Sequence, residues 1–129
     1  MEKKNNAIIY LVEDDESVRR AMKRLILSMG MEIQAFSSGQ KFFKSPHRDL
    51  HACLICDIKI PGMDGIEIQK KLTALGSKLP VIFITGFDTE KTRSEAKKVG
   101  AAGYFRKPVD DQALLDAIHW ALSGQVCPK

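Results

Sequence analysis

Polar residues suited to phosphate or metal chemistry follow four of the five short apolar runs in this chain. The acidic run Glu13-Asp14-Asp15-Glu16 comes after the first apolar run, and Asp57 after the third. Thr85 follows the fourth run and Lys107 the fifth. Carboxylate oxygens with few other ligands suit Mg²⁺, which keeps part of its water shell. A hydroxyl and an ammonium beside them would supply hydrogen bonds and positive charge to a tetrahedral dianion.

The apolar runs alternate with segments of helical periodicity, which predicts how these residues are positioned. Strands separated by helices cannot pair as hairpins, so the pattern predicts a parallel sheet with helices on both faces and right-handed crossovers. The carboxyl ends of such strands meet at one edge of the sheet. The predicted strands are 7–12, 31–36, 52–56, 80–84 and 102–105, and the predicted helices are 16–30, 37–44 with Ser37 as its cap, 64–75, 88–99 and 110–122.

Each of these polar residues also has an ordinary structural explanation. The acidic run can cap a helix and complement its dipole, and Asp57 can form a turn. Thr85 can simply begin a loop, and Lys107 can be a solvated lysine. Their shared position at strand ends favours a common site, because three converging carboxylates repel one another unless a cation lies among them.

Composition predicts one globular domain. The chain has 129 residues, enough for a single domain at 1–129 with a core at about 7–122. Its apolar runs are too short for a signal peptide or a membrane span, so we predict a cytoplasmic location and no membrane contact. The formal net charge is +4, and the lysines and arginines are scattered along the chain with no single cluster, which predicts solvated helix faces and no direct nucleic-acid binding.

Cys53 and Cys56 form a C-x-x-C pattern inside the third predicted strand. Residues three apart in a strand point to opposite faces, so these thiols cannot share a metal ion or form a disulfide without distortion. We predict two buried structural thiols.

Taken together, the motifs resemble the receiver domains of two-component response regulators over nearly the whole chain. The resemblance is carried by Glu13-Asp14, by Asp57, by the segment Ile60-Pro61-Gly62-Met63-Asp64-Gly65, by Thr85-Gly86 and by Lys107-Pro108. It implies a flavodoxin-like α/β fold, doubly wound, with a five-stranded parallel sheet of order 2-1-3-4-5 and five helices.

The resemblance implies that Asp57 is the phosphoacceptor. Asp14 and Asp57 would bind Mg²⁺ directly, Glu13 would act through water, and the backbone carbonyl of Lys59 would supply a further oxygen. The domain would be a signalling module that catalyses only its own phosphorylation and dephosphorylation, and not an enzyme.

The resemblance also implies a conformational switch. Thr85 and Lys107 would each bond a phosphoryl oxygen, with Lys107 first holding Asp57, and the peptide bond before Pro108 would be cis. Tyr104 matches the switch position of the family. When Thr85 moves toward the phosphate, Tyr104 would rotate and remodel the surface of the fourth helix, fifth strand and fifth helix.

The implied partners are a sensor histidine kinase and an output domain or downstream protein outside this chain. The first helix and the loop after Lys107 would face the kinase, so charge reversal at Arg19 is predicted to weaken phosphotransfer without affecting metal binding. A homodimer through the fourth helix, fifth strand and fifth helix is a further expectation.

Two alternatives belong to other functional classes. A receiver-like binding module would never turn over phosphate, and failure to bind Mg²⁺ would favour it. A phosphatase with an aspartyl nucleophile would be expected to carry a second aspartate two residues after Asp57, where this chain has Lys59.

Overall fold

A computed structural model of the protein describes residues 7–123. The predicted domain limits, residues 1 and 129, lie outside this range. The boundaries of all ten elements fall within one or two residues of the predicted ones. The strands are β1 (Ile8–Val12), β2 (Glu32–Phe36), β3 (Ala52–Asp57), β4 (Val81–Thr85) and β5 (Gly103–Arg106). The helices are α1 (Glu16–Ser28), α2 (Gly39–Lys44), α3 (Gly65–Ala74), α4 (Glu90–Lys98) and α5 (Asp111–Leu122).

The five strands form one parallel sheet in the order β2-β1-β3-β4-β5. The predicted fold class, a doubly wound flavodoxin-like sheet of order 2-1-3-4-5 with five helices, is therefore confirmed. The three central strands are buried along their whole length, whereas the edge strands β2 and β5 are partly exposed. This burial explains why the central strands are continuous apolar runs with no alternation.

Helices cover both faces of the sheet and form two separate apolar cores. Helices α1 and α5 pack on one face through buried side chains that include Met22, Ile26 and Ile118. Helices α2, α3 and α4 cover the other face, where Phe42 and Leu72 are among the buried residues. Since both faces are occupied, the edge at the carboxyl ends of the strands is the place where polar side chains can gather.

The two strand cysteines lie in different cores, as predicted. Cys53 packs on the α1–α5 face and Cys56 on the opposite face, and both are free thiols. Burial raises the pKa of Cys53 to about 12 and also raises the pKa of Cys56. Both thiols are therefore protonated, inert core residues.

Helices α2 and α4 each begin two residues after the predicted start, the largest differences among the helix starts. The cap of α2 is Ser38, whose hydroxyl accepts the Lys41 amide at 3.2 Å, so the predicted cap Ser37 is wrong by one residue. Helix α4 is capped by Thr89, and Asp88 lies before it in the loop. Ser37 and Ser38 have the same capping propensity, so composition does not choose between them. No helix between residues 7 and 123 is long and apolar enough to cross a membrane.

Candidate functional site at the carboxyl edge of the sheet

The acidic run after β1 divides into structural and site residues. Asp15 caps α1, because its carboxylate accepts the amides of Ser17 and Val18. Glu16 forms an exposed ion pair of 2.8 Å with Arg20 one helical turn later. The helix-capping explanation is thus correct for the second half of the run, and Glu13-Asp14 remains available for another role.

Glu13, Asp14 and Asp57 form a carboxylate cluster at this edge. One oxygen from each of the three carboxylates lies within 4.8 Å of the others. Glu13 and Asp57 are buried, whereas Asp14 is exposed, so the cluster opens to solvent at Asp14. A set of donors made only of carboxylate oxygens, open on one side, fits a hard cation such as Mg²⁺.

Lys107 lies between two of these carboxylates. Its Nζ donates to Glu13 Oε1 and to Asp57 Oδ2, each at 2.9 Å. Burial alone would lower the pKa of Lys107, but the hydrogen bonds to Asp57 and Glu13 outweigh it and raise the pKa. Lys107 is therefore a permanent cation. The contact with Asp57 agrees with the sequence-based expectation, whereas the contact with Glu13 was not foreseen.

Glu13 is fully buried and uses both carboxylate oxygens. Oε1 accepts from Lys107, and Oε2 accepts the amide of Asp15 at 3.1 Å. Burial raises the pKa of Glu13, and the bond to Lys107 offsets this only in part. The glutamate side chain thus reaches the lysine directly.

The turn after β3 holds Asp57 in place. Asp57 is the last residue of the strand, and its Oδ1 accepts the amide of Lys59 at 3.2 Å. Gly65 begins α3 so close to the strand end that a Cβ there would lie 2.8 Å from the carbonyl oxygen of Asp57. The Gly65 amide also donates to the carbonyl of Ile58 at 3.0 Å. Glycine at this position therefore allows α3 to start directly beside the carboxylate.

Thr85 is the last residue of β4 and is fully buried. Its Oγ1 accepts the amide of Phe87 at 2.9 Å, and its carbonyl accepts the amide of Lys107 at 2.8 Å. The backbone of Thr85 thus joins the ends of β4 and β5. The peptide bond between Lys107 and Pro108 is cis.

The Tyr104 hydroxyl contacts residues that sequence reasoning missed. It donates to Asp88 Oδ1 at 2.8 Å and lies 2.9 Å from Thr92 Oγ1. Burial, the largest effect, raises the pKa of Tyr104, and the Asp88 carboxylate adds to it. Asp88 is also paired with Arg93 of α4 at 3.1 Å. The three-residue spacing of Thr89 and Thr92 is typical of a helix cap, and it was the sequence signal that could have placed both residues at the start of α4.

Lys59 and Phe87 contact each other at the rim of the cluster. The Lys59 Nζ lies 5.0 Å from the centre of the Phe87 ring, a cation–π contact between the turn after β3 and the loop after β4. Phe87 is 53% exposed. These two side chains therefore border the approach to Asp57.

A family model described as the response regulator receiver domain matches residues 9–119. The chain belongs to this family. Receiver domains of this kind are parts of two-component systems, and the carboxylate cluster lies where the matching motifs predicted it. Among curated proteins, nodulation protein W of Bradyrhizobium diazoefficiens is 39% identical over 117 residues, which are 91% of this chain and 52% of that protein. The chain thus spans about half the length of the curated relatives it matches.

Solved structures agree with the receiver fold. The response regulator StyR superposes with a TM-score of 0.86 at 36% identity, covering 94% of this chain and 61% of that chain. FixJ-N superposes with a TM-score of 0.82 at 26% identity, covering 96% of this chain and 99% of that chain. The receiver fold therefore accounts for nearly all of the residues described here, and StyR, like the curated relatives, extends beyond it.

Proposed function

We propose that this receiver domain accepts a phosphoryl group on Asp57 from the phosphohistidine of a sensor histidine kinase, in a reaction that depends on Mg²⁺. The observation that carries the proposal is the position of the Asp57 carboxylate, 2.9 Å from the Lys107 ammonium and beside Glu13 and Asp14. An anionic nucleophile with a fixed cation next to it is suited to meet a phosphoryl group.

In the transfer step an oxygen of Asp57 attacks the phosphorus atom and the phosphorus–nitrogen bond of phosphohistidine breaks. The bonding electron pair stays on the imidazole nitrogen, and the product on this chain is an acyl phosphate. Lys107 moves its hydrogen bond from Asp57 to a phosphoryl oxygen and so follows the negative charge. Mg²⁺, held by Asp14, Asp57 and the Lys59 carbonyl with Glu13 acting through water, would supply neutralising charge.

Thr85 and Tyr104 then transmit the event to the surface. The Thr85 hydroxyl now accepts the amide of Phe87, so a movement of Thr85 toward a phosphoryl oxygen would shift the loop that carries Phe87. If Tyr104 rotates in response, its hydroxyl has to leave Asp88 and Thr92. Both changes act on the loop before α4, so the surface formed by α4, β5 and α5 is remodelled.

An apolar groove beside the site suits the kinase. It has a volume of about 580 Å³, lies between α1 and α5, and reaches Lys107 and Pro108. A helix of the kinase seated there would bring its phosphohistidine to the edge of the sheet that carries Asp57. The apolar residues that line the groove include Val18, Met22, Leu25, Val109 and Leu114.

The remodelled surface would control an output domain or a partner protein outside the described residues. Trp120 of α5 is 40% exposed, and Arg106 of β5 is exposed as well. An exposed tryptophan is a common anchor of protein interfaces, which supports a homodimer through α4, β5 and α5. We place the domain in the cytoplasm, where the kinase acquires its phosphoryl group from ATP, and assign it no direct contact with nucleic acid or membrane.

Intact-mass analysis after incubation with Mg²⁺ and acetyl phosphate tests the proposal. The wild-type chain is expected to gain one phosphoryl group, and Asp57→Asn none. Asp49→Asn is the matched control, because Asp49 is a half-buried aspartate at the opposite edge of the sheet, and this variant is expected to gain phosphate as the wild type does.

Absence of an adduct on folded wild-type protein would point instead to a binding module that does not turn over phosphate. A short-lived acyl phosphate is distinguished by repeating the incubation with beryllium fluoride, which forms a stable mimic on the acceptor carboxylate. If folded wild-type protein forms neither the phosphoryl adduct nor the beryllium fluoride mimic, the proposed function is overturned.

A further inference from the structure

The loop between β1 and α1, which carries Glu13 and Asp14, is held by a side chain of α1. Nη1 of Arg19 donates to the carbonyl oxygen of Glu13 at 2.9 Å and to that of Asp14 at 3.2 Å. On its other side the loop is held by the Glu13 amide, which donates to the carbonyl of Phe36 in β2 at 3.0 Å. The backbone that presents two of the three carboxylates is therefore fixed from both sides.

The neighbouring arginine behaves differently. Arg20 forms its ion pair with Glu16 on the outer surface, where the two side chains are 69% and 66% exposed. Arg19 is half-buried, and its guanidinium turns back along the helix to the loop that precedes it. Two adjacent residues of the same type thus offer a matched pair, one in contact with the loop and one without such a contact.

We infer that Arg19 is a positioning residue for the metal, acting through the backbone of Glu13 and Asp14 to keep the Asp14 carboxylate beside Asp57. The inference rests on the proposed Mg²⁺-dependent function. It replaces the expectation from sequence that Arg19 contacts the kinase and leaves metal binding unaffected. A rigid support matters here because Asp14 is exposed, and an exposed carboxylate on a loose loop has many conformations that cannot bind the ion.

Because Arg19 is positively charged, the direction in which its removal changes the Mg²⁺ affinity distinguishes two explanations. A cation near the site repels Mg²⁺, so removal of the charge alone would tighten metal binding. Loss of the two hydrogen bonds would loosen the loop and weaken metal binding. The two effects have opposite directions, and the sign of the change shows whether the contacts with the carbonyls or the charge of the side chain matters more.

Isothermal titration calorimetry of the 129-residue chain with MgCl₂ measures the effect. Arg19→Ala is expected to raise the Kd for Mg²⁺ about tenfold, a typical result of removing a group that orients metal ligands. Arg19→Lys should recover much of the affinity, because an ammonium can donate to the same carbonyls. Arg20→Ala should bind as the wild type does. Thermal unfolding without Mg²⁺ verifies that each variant is folded. If Arg19→Ala does not fold, Arg19→Gln is measured in its place.

Phosphorylation by acetyl phosphate supplies a second readout that a general loss of stability would not mimic. The Mg²⁺ concentration at half-maximal rate should rise in Arg19→Ala, while the rate at saturating Mg²⁺ should match wild type because Asp57 and Lys107 are unchanged. A Kd equal to or lower than that of wild type would overturn the inference alone. Failure of wild type itself to bind Mg²⁺ would overturn both the inference and the proposed function.

Discussion

The carboxylates at the two edges of the sheet differ in how their charge is compensated. At the amino edge Asp49 accepts two short hydrogen bonds of 2.7 Å, from the Ser77 hydroxyl and the Lys78 amide, and so joins the loops that lead into β3 and β4. At the carboxyl edge three carboxylates lie together, and two of them, Glu13 and Asp57, share the ammonium of Lys107. At the amino edge hydrogen bonds compensate the negative charge of Asp49, whereas at the carboxyl edge three carboxylates outnumber the one contacting ammonium.

The pKa shifts express the same difference. Burial alone would raise the pKa of Asp49, but the hydrogen bonds from Lys78 and Ser77 outweigh it and lower the pKa. The pKa of Glu13 is raised, chiefly by burial. Ionised Asp49 therefore stabilises the fold, whereas ionised Glu13 opposes it. The carboxyl edge is therefore less stable than it could be, and it keeps a carboxylate cluster that could hold a metal ion.

The largest effect is expected from Lys107→Met, which removes the only ammonium that contacts the described carboxylate cluster. The rate of phosphorylation by acetyl phosphate should fall about 100-fold, because charge that develops on the phosphoryl oxygens loses its fixed partner. Time-resolved intact-mass analysis gives the rate. Lys78→Met, at the amino edge, should keep the wild-type rate, since Lys78 contacts Asp49 through its backbone amide. Equal rates for wild type and Lys107→Met would contradict the role of the ammonium.

A smaller effect, confined to stability, is expected from Asp49→Ala. Loss of its two hydrogen bonds should lower the free energy of unfolding by about 1 kcal/mol at neutral pH, with no change in the phosphorylation rate. Because the folded pKa of Asp49 is depressed, the contribution is complete above the ordinary aspartate pKa of 3.8 and disappears as the pH falls through the lower folded pKa. Urea unfolding at several pH values measures it. A loss that stays constant down to strongly acidic pH would show that the charge of Asp49 is irrelevant.

The smallest effect is expected from Glu13→Gln and has the opposite dependence on pH. A raised folded pKa stabilises the protein below the unfolded value of 4.5, and this stabilisation is lost as the pH rises through the folded pKa. The stability of wild type relative to Glu13→Gln should therefore fall as the pH rises from about 4.5. Urea unfolding in buffer free of Mg²⁺ is the measurement. A relative stability that increases with pH would mean that the ion pair with Lys107 outweighs the cost of burial.

Most of the fold followed from local patterns. Apolar runs separated by helical periodicity were enough to predict five parallel strands, and each boundary was correct within two residues. The strand order came from the family resemblance and not from these patterns. The starts of α2 and α4 were each predicted two residues early, and the predicted cap of α2 was Ser37 where the structure has Ser38, a neighbour with the same capping propensity. Tertiary packing chooses between such neighbours.

The amino-acid sequence by itself determined which groups gather at the carboxyl edge, because a parallel sheet brings the ends of its strands together whatever their distance along the chain. Only the tertiary structure decided which of these groups touch. Glu13 and Lys107 are 94 residues apart, and their contact depends on the length and rotamer of two side chains. The turn of Arg19 toward the loop, and of Tyr104 toward Asp88, likewise depends on packing around each side chain. Local sequence patterns specify backbone placement, whereas side-chain partners arise from the assembled neighbourhood.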